Sequence, residues 1–268
     1  MSWITARRRH PAAGYIVVAF VLVLIGATYA VITSGNASAS SPAAANSAQI
    51  AEGRNLFVED CATCHGEFAQ GTTGVAPGLI GVGAAAVDFQ VSTGRMPLAA
   101  NAAEAERKPP KLTPAQTHAV AAYIQSLGGG PTIPSAAQVS TAGANLGLGQ
   151  SLFEANCAAC HNFVGAGGAL TDGKFGPSLV PSTPTQIYEA METGPEAMPV
   201  FNDLTITPQE KRDIIAYVTT ARAEPNPGGF SLGRVGPVTE GLVAFLGLLF
   251  FMVLAALWIT AKHRKAHE

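Results

Sequence analysis

Charged and aromatic residues are both scarce in this chain of 268 residues. Only 13% of its residues are Asp, Glu, Lys or Arg, a low fraction for a soluble protein, and only 7% are aromatic. Glycine (29 residues) and proline (18 residues) are plentiful, a composition that predicts helices joined by long irregular loops. Residues 34–237 contain 10 Lys and Arg against 16 Asp and Glu. This acidic balance argues against nucleic acid as a partner.

Two stretches near the ends lack charge almost completely. Residues 13–33 contain no charged side chain, and residues 238–261 contain only Glu240. Each stretch is apolar and about as long as a helix that crosses a lipid bilayer. Basic residues lie on the outer side of both stretches: Arg7, Arg8, Arg9, Lys262, Arg264 and Lys265. Because basic flanks favour the cytoplasmic side, we expect both ends, residues 1–12 and 262–268, in the cytoplasm. The middle is then extracytoplasmic, held at the cell membrane by two transmembrane helices.

The first apolar stretch has one alternative interpretation, a cleaved signal peptide. Small residues that could form a cleavage site follow it, in the segment NASAS. The stretch is longer than the 7–15 apolar residues of a signal-peptide core, which favours a retained membrane helix. With either interpretation the middle of the chain is exported.

Cysteine is also rare, and its placement is informative. The only four cysteines belong to two Cys-x-x-Cys-His triplets, which consist of Cys61, Cys64 and His65 and of Cys157, Cys160 and His161. The triplets are part of an internal repeat, because residues 53–65 align without gaps on residues 149–161 and three further blocks recur in the same order. One small domain therefore occurs twice, at residues 47–128 and 145–223. Linkers complete the division, at residues 34–46, 129–144 and 224–237.

Each copy is expected to begin and end with a helix, which makes the predicted fold mainly α. The candidate N-caps of the opening helices are Ser47 and Asn145. Capping boxes with proline at the first helical position begin the closing helices, at Thr113 and Thr207. Gly53 and Gly149 recur in the opening helices, and the absence of a side chain there could let the first and last helices cross closely.

The triplets have the composition that covalent attachment of haem requires. Two thiols add to the vinyl groups of the haem, and the histidine directly after the second thiol reaches the iron. A structural zinc site needs four ligands in a tetrahedron, whereas the triplets lie in separate repeats. A thioredoxin-like pair would accompany a βαβ pattern, which the sequence lacks. Structural disulfides are permitted outside the cell, but they leave the repeated histidine unexplained.

Two of the five methionines are candidates for the second axial ligand of the iron. Met96 and Met198 are each followed by proline, and each lies between the triplet and the last helix of its copy. We therefore predict that Met96 is paired with His65 and Met198 with His161. Such His/Met ligation raises the reduction potential and leaves the iron no open position.

Other residues near these motifs have weaker claims. His118 is a rival ligand in the first copy, but Arg212 occupies the corresponding position in the second, so we expect a surface residue. Met191 lacks a following proline and is expected to pack in the core. The carbonyls of Pro77 and Pro177 are candidates to accept the Nδ1 proton of the axial histidines.

The two copies resemble class I cytochrome c domains. In that family a Cys-x-x-Cys-His helix, a Gly-Pro-x-Leu loop, a Met-Pro loop and a C-terminal helix surround one haem. The matching residues are Cys61, Cys64, His65, Pro77, Leu79, Met96 and Pro97, then Cys157, Cys160, His161, Pro177, Leu179, Met198 and Pro199. The first copy has Ala-Pro-Gly-Leu in the second motif. Over its whole length, the order of membrane helix, two haem domains and membrane helix resembles the dihaem cytochrome cc subunit of the actinobacterial cytochrome bc1 complex.

This resemblance implies a role in a menaquinol–cytochrome c reductase, a respiratory translocase. The implied cofactors are two covalently bound haem c groups. The implied partners are a cytochrome b subunit, a Rieske iron–sulfur subunit and, in a supercomplex, an aa3-type oxidase that accepts the electrons. The chain itself would be an electron carrier without a substrate site of its own.

Two alternatives stay open at this point. The chain could be a dihaem subunit of another respiratory enzyme, such as a cbb3-type oxidase or a membrane-bound dehydrogenase, although the C-terminal membrane helix argues against these. It could also be a dihaem peroxidase. A peroxidase needs an open or displaceable axial position, and the two Met-Pro motifs argue against one.

Overall fold

The computed structural model describes residues 13–34, 47–98, 104–224, 232 and 237–265. The chain divides into two compact units, residues 1–43 and residues 44–268. In the first unit the described residues form one helix, α1 (Ala13–Ser34). The predicted N-terminal cytoplasmic segment, the linker before the first domain and most of the linker after the second lie outside the described residues.

The C-terminal apolar stretch forms a long helix, α10 (Pro237–Lys265). Its residues Thr239–Ala261 are long and apolar enough to cross a membrane, with a mean hydropathy of 2.8, and none of this stretch is buried within the protein. In α1 the described apolar stretch is shorter and covers Tyr15–Thr28. A membrane-spanning role of the first helix therefore stays a prediction.

The described residues of the first copy form four helices. They are α2 (Ser47–Asp60), α3 (Ala62–His65), α4 (Gly83–Ser92) and α5 (Pro114–Gly128). The second copy repeats this order with α6 (Leu146–Asn156), α7 (Ala158–His161), α8 (Pro184–Thr193) and α9 (Pro208–Ala223). It adds an antiparallel hairpin, β1 (Gly168–Ala169) and β2 (Phe175–Gly176), with a 3-10 turn at Thr171–Gly173 between the strands. The fold of the described residues is thus mainly helical.

The predicted helix starts are largely confirmed. Thr113 and Thr207 each accept a hydrogen bond from the third helical residue, which returns one to the cap, as a capping box requires. Asn145 caps α6 by accepting from the backbone N–H of Leu148. Ser47 is itself the first residue of α2, so the helix begins one residue earlier than a cap at Ser47 predicts, a difference within the usual uncertainty of helix ends.

The opening and closing helices of each copy cross at a glycine, as the sequence predicted. A Cβ at Gly53 would lie 1.9 Å from the carbonyl oxygen of Ala119, and a Cβ at Gly149 would lie 2.0 Å from that of Asp213. Real Cβ atoms do not approach backbone so closely. The backbones of α2 and α5, and of α6 and α9, therefore touch directly.

An aromatic pair beside each crossing begins the core of each copy. The ring centres of Phe57 and Tyr123 lie 5.5 Å apart, and those of Phe153 and Tyr217 lie 5.4 Å apart. The two rings of each pair are tilted against each other. Tilted pairs at this spacing add stabilisation beyond the burial of area. Each pair is surrounded by its own cluster of buried apolar residues, so each copy has its own core.

The middle helices α4 and α8 were not predicted. For α8 a signal existed, since Thr183-Pro184-Thr185-Gln186 is a third capping box, which the structure forms. The residues of α4 are mostly Ala, Val and Phe and seven of the ten are buried. This helix is apolar nearly all round because it packs against α5 within its own copy and against α8 of the other. The contact of α4 with α8 joins the two copies, and the repeat pattern gave no indication of it.

Polar contacts accompany the packing of α4 on α8. The side-chain amide of Gln186 donates to Ser92 Oγ at 3.2 Å and accepts from Arg107 Nη2 at 2.9 Å. The backbone N–H of Phe175 donates to Glu104 Oε2 at 2.9 Å. These bonds pair residues of the first copy with residues of the second and fix the two copies against each other.

Residues 129–144 contain no helix or strand and are bound to both copies. The carbonyl of Pro131 accepts from the N–H of Ala85 at 3.0 Å. Further along, Arg212 donates to the carbonyls of Ser140 and Ala142 at 2.8 and 2.6 Å. The predicted extended linker is therefore hydrogen-bonded to both copies along its length.

Candidate haem sites

The two triplets adopt the same local structure. In each, the first cysteine interrupts the helix, and the N–H of the histidine bonds to the carbonyl of that cysteine, at 3.0 Å for His65 and 2.9 Å for His161. The second cysteines, Cys64 and Cys160, are exposed. Burial raises the pKa of Cys61 and Cys157 to about 11, so both are protonated at neutral pH while they are free thiols.

Both histidines make the predicted bond to a proline carbonyl. His65 Nδ1 lies 2.8 Å from the carbonyl oxygen of Pro77, and His161 Nδ1 lies 2.8 Å from that of Pro177. A carbonyl can only accept, so Nδ1 carries the proton and Nε2 presents a free lone pair. Burial lowers the pKa of His161 in spite of this bond, which favours the neutral form that binds metals.

The residues of the second copy line one cavity. It is bounded by Cys157, Cys160, His161 and Met198, together with Leu179 and other apolar side chains. A neutral imidazole, a thioether and two thiols at the edge of an apolar cavity fit a haem of the c type. Among the described residues, no group of three or more His, Cys, Asp or Glu is placed to hold a metal ion.

The corresponding residues of the first copy gather around its core. Cys61, Leu79 and Met96 all pack against the buried cluster that contains Phe57. His65 is 9% exposed and its Nδ1 bonds to the carbonyl of Pro77. Of the predicted haem-binding residues of the first copy, Cys61 and Met96 thus lie at one buried cluster.

The rival candidates lie where the sequence predicted. His118 is about half exposed, and its Nε2 lies 3.5 Å from Asp88 Oδ1. Met191 is 2% exposed and belongs to the core of the second copy, although it also borders the cavity. Met252 lies in α10.

Sequence reasoning missed that the first copy contributes to the cavity of the second. Phe89, Arg95, Glu104 and Ala105 line it beside the second-copy residues. These side chains have no counterpart motif in the repeat, because they act across the contact between the copies. No pattern within either repeat could have identified them.

Taken together, the helices, the paired triplets and the recurring Met-Pro segments define a protein of the c-type cytochrome class. Two family models match the chain. The model described as cytochrome c matches residues 50–128, and the model described as cytochrome C oxidase, cbb3-type, subunit III matches residues 144–218. Domains of this class bind haem c covalently.

Relatives match the chain over nearly its full length. The cytochrome bc1 complex cytochrome c subunit of Corynebacterium diphtheriae is 43% identical over 275 residues, which cover 97% of this chain and 98% of the relative. The subunit of the same description from Mycobacterium tuberculosis is 43% identical over 261 residues, which cover 96% of this chain and 93% of the relative. The chain belongs to the family of cytochrome bc1 complex cytochrome c subunits, and it is thus a subunit of an oxidoreductase complex.

A second group of relatives matches only in part. The cbb3-type cytochrome c oxidase subunit CcoP of Rhodobacter capsulatus is 40% identical over 88 residues, which cover 29% of each chain. This match is limited to about the length of one domain.

Proposed function

We propose that the chain holds two covalent haem c groups and relays electrons through them from a Rieske iron–sulfur protein to an aa3-type oxidase. One observation carries the proposal: in both copies a histidine beside a pair of thiols donates Nδ1–H to a proline carbonyl at 2.8 Å. A fortuitous histidine would not recur with the same partner in both copies. The repetition therefore supports two equivalent metal-binding groups.

Each residue of the site has a defined task. Cys61 and Cys64, and likewise Cys157 and Cys160, would form the thioether bonds. When bound, haem c supplies a one-electron iron couple. Met96 and Met198 would complete the axial pairs with His65 and His161, a combination that raises the potential and excludes oxygen from the iron. The carbonyls of Pro77 and Pro177 orient the histidine rings and increase their basicity.

The direction of electron flow follows from the type of complex. A bc1-type reductase oxidises quinol, here menaquinol, at cytochrome b and the Rieske protein, and a c-type cytochrome takes the electron from the Rieske centre. With two haem groups in one chain, the second can pass the electron to the oxidase directly within a supercomplex. No diffusing cytochrome c is then required.

We further propose that α1 and α10 both cross the cell membrane. The basic residues outside each apolar stretch favour cytoplasmic ends, and two spans return the chain to its starting side. Both haem domains then lie on the extracytoplasmic side, where haem is attached to such triplets.

A role as a subunit of a cbb3-type oxidase is the competing candidate. The family model matched by residues 144–218 favours it. That match covers one domain only, whereas the bc1 relatives cover nearly the whole chain. The full-length similarity therefore favours the bc1 role.

Purification of the tagged chain from its native membranes tests the proposal. Mass spectrometry of the intact chain should give a mass increased by two haem groups. Cytochrome b, Rieske and aa3-oxidase subunits should co-purify with it. A mass that corresponds to one haem, or co-purification of cbb3-type oxidase subunits in their place, would reject the proposed relay.

A further inference from the structure

Arg95 of the first copy is a buried cation at the cavity of the second. Its side chain is 5% exposed and lines the cavity that His161 and Met198 also line. Nη1 is buried and has no hydrogen-bond partner. The carbon at the centre of the guanidinium lies 4.9 Å from the centre of the Phe89 ring. A buried guanidinium with an unpaired N–H is costly unless an anion compensates it.

The acidic side chains nearby do not pair with Arg95. Glu104 and Glu196 border the same cavity, yet no described carboxylate lies within the 4.0 Å of an ion pair with Arg95. Glu104 Oε2 already accepts the N–H of Phe175. The other cation of this region, Arg107, donates to Ser182 and Gln186. Arg95 thus lines the cavity without an ion pair to any described carboxylate, although the charges of Glu196 and Glu104 act on it from a greater distance.

The backbone holds Arg95 firmly in this position. Thr93 Oγ1 donates to the carbonyl of Phe89 at 2.6 Å, and the N–H of Met96 donates to the carbonyl of Gln90 at 3.0 Å. A Cβ at Gly94, where φ is +69°, would lie 2.0 Å from the carbonyl oxygen of Lys108. Residues 93–96 are therefore held by hydrogen bonds to α4 and by close contact with the backbone of Lys108. This holds the backbone of Arg95 in place before any ligand binds.

We propose that Arg95 of the first domain is the counter-ion of the haem propionates in the second domain. Haem carries two carboxylates as its only anionic substituents, and guanidinium binds carboxylate with two parallel hydrogen bonds. The unpaired N–H, the burial and the position of Arg95 at the cavity fit this partner. The inference rests on the proposed second haem.

This assignment links the two haem sites through adjacent residues. Arg95 directly precedes Met96, the predicted axial ligand of the first domain. A positive charge held beside the second haem disfavours the extra positive charge of oxidised iron. Removal of the charge should therefore shift the second-domain haem, not the first, towards the oxidised state.

Redox titration of the purified complex with substituted full-length chains tests the proposal. The variant Arg95→Gln removes the cation, Arg95→Lys retains the charge without the planar fork, and Arg107→Gln removes a neighbouring cation that does not line the cavity. The second-domain component is identified as the one that Met198→Ala displaces. Intact mass gives the number of haem groups on every variant.

For Arg95→Gln we expect about a tenfold shift of the second-domain component towards the oxidised form, equivalent to about 59 mV for a one-electron couple. The first-domain component should stay in place, and Arg107→Gln should shift neither component more than about twofold, since this half-buried cation does not line the cavity. Arg95→Lys keeps the charge but loses the planar fork. The second-domain component should therefore shift less than in Arg95→Gln, by between about twofold and tenfold. If Arg95→Gln does not accumulate, the shift measured for Arg95→Lys tests the proposal, and an unchanged second-domain component in that variant would overturn it.

Three results would overturn the proposal. They are an unchanged second-domain component, a shift confined to the first-domain component beside Met96, and equal shifts for Arg95→Gln and Arg107→Gln. In each case an unsubstituted chain with two haem groups leaves the proposed relay intact. An unsubstituted chain with only one haem group would reject the relay itself.

Discussion

At the scale of single residues, the most telling feature is the repeated bond between histidine and proline carbonyl. The bond fixes the tautomer of His65 and His161 and directs Nε2 away from the backbone. Met198 borders the same cavity as His161. The residue-scale geometry therefore agrees with the proposed haem site, in which His161 and Met198 would be the two axial ligands.

Replacement of Met198 by alanine should open one iron to external ligands. Alanine has no group to coordinate iron, so the potential of one haem should fall and carbon monoxide should bind to its reduced form. The change can be followed by difference spectra of the reduced chain with and without carbon monoxide. Met191→Ala, a core methionine that borders the same cavity, serves as the control and should bind none. A Met198→Ala chain that is spectrally inert to carbon monoxide would contradict the axial assignment.

Glu189 forms an acid pair across the contact between the domains. It is fully buried, and no described N–H or O–H donates to either of its carboxylate oxygens. Its neighbour is the Asp88 carboxylate, which could only accept, so the two bond when one of them holds a proton. Burial, and to a lesser degree the charge of Asp88, raise the pKa of Glu189 to about 10. His118 Nε2 faces Asp88 from α5.

Stability should consequently fall as the pH rises above the ordinary pKa of a glutamate. Between about pH 4.5 and pH 10 the folded chain retains a proton that the unfolded chain releases, so the slope reaches about 1.4 kcal/mol per pH unit. Glu189→Gln removes this cost and should melt higher than the unsubstituted chain at pH 8. At pH 5 the two should be nearly equal. Thermal unfolding of both chains at pH 5 and pH 8 tests this prediction. The same difference in melting temperature at the two pH values would refute it.

At the scale of elements, the crossing of the first and last helices of each domain depends on one glycine. Gly53 and Gly149 bring the backbones of α2 and α5, and of α6 and α9, into direct contact. Backbone atoms cannot move aside as a flexible side chain does. The aromatic pair next to each crossing then packs against a surface of fixed shape.

Gly149→Ala should destabilise the second domain, by about 1–3 kcal/mol or more, because the added Cβ would lie 2.0 Å from the carbonyl oxygen of Asp213. Gly147→Ala in the same helix is the matched control. A Cβ there meets nothing nearer than Asn145 Oδ1 at 3.6 Å. The control should be neutral or stabilising by up to about 1 kcal/mol. Denaturant unfolding measures both, and equal effects of the two substitutions would contradict the close crossing.

At the scale of the whole molecule, the two copies of the repeated domain pack against each other. The helices α4 and α8 pack on each other, and side chains of the first domain line the cavity of the second. The hydrogen bonds of Gln186 and Arg107 maintain this contact. A fixed arrangement of the domains would keep the separation of the two proposed haem groups constant, as the proposed electron transfer between them requires.

The predicted two-span topology can be tested with reporter fusions. Alkaline phosphatase, which folds only outside the cytoplasm, should be active when fused after residue 144. The same reporter fused after residue 268 should be inactive, because α10 returns the chain to the cytoplasm. Deletion of residues 13–33 should prevent export and abolish the activity of the first fusion. Activity at the C-terminal fusion would refute the second span.

Much of the fold and of the candidate site could be predicted from the sequence. The four cysteines, the two histidines and the Met-Pro pairs were recognisable because attachment and ligation of haem require fixed spacings along the chain. The capping boxes at Thr113 and Thr207 and the crossing glycines were recognisable because they obey local rules of helix geometry. The capping box at Thr183 obeyed the same rules and was overlooked.

The sequence alone thus determined two haem-type motifs, a duplicated helical domain and an apolar segment at each end, since each depends on residues close together in the chain. Only the tertiary structure decided that α4 packs on α8, that Glu189 faces Asp88, and that Arg95 of the first domain lines the cavity of the second. The physical reason is that these contacts join residues on different repeats. No spacing rule relates such residues, and burial across the contact gives them their chemistry.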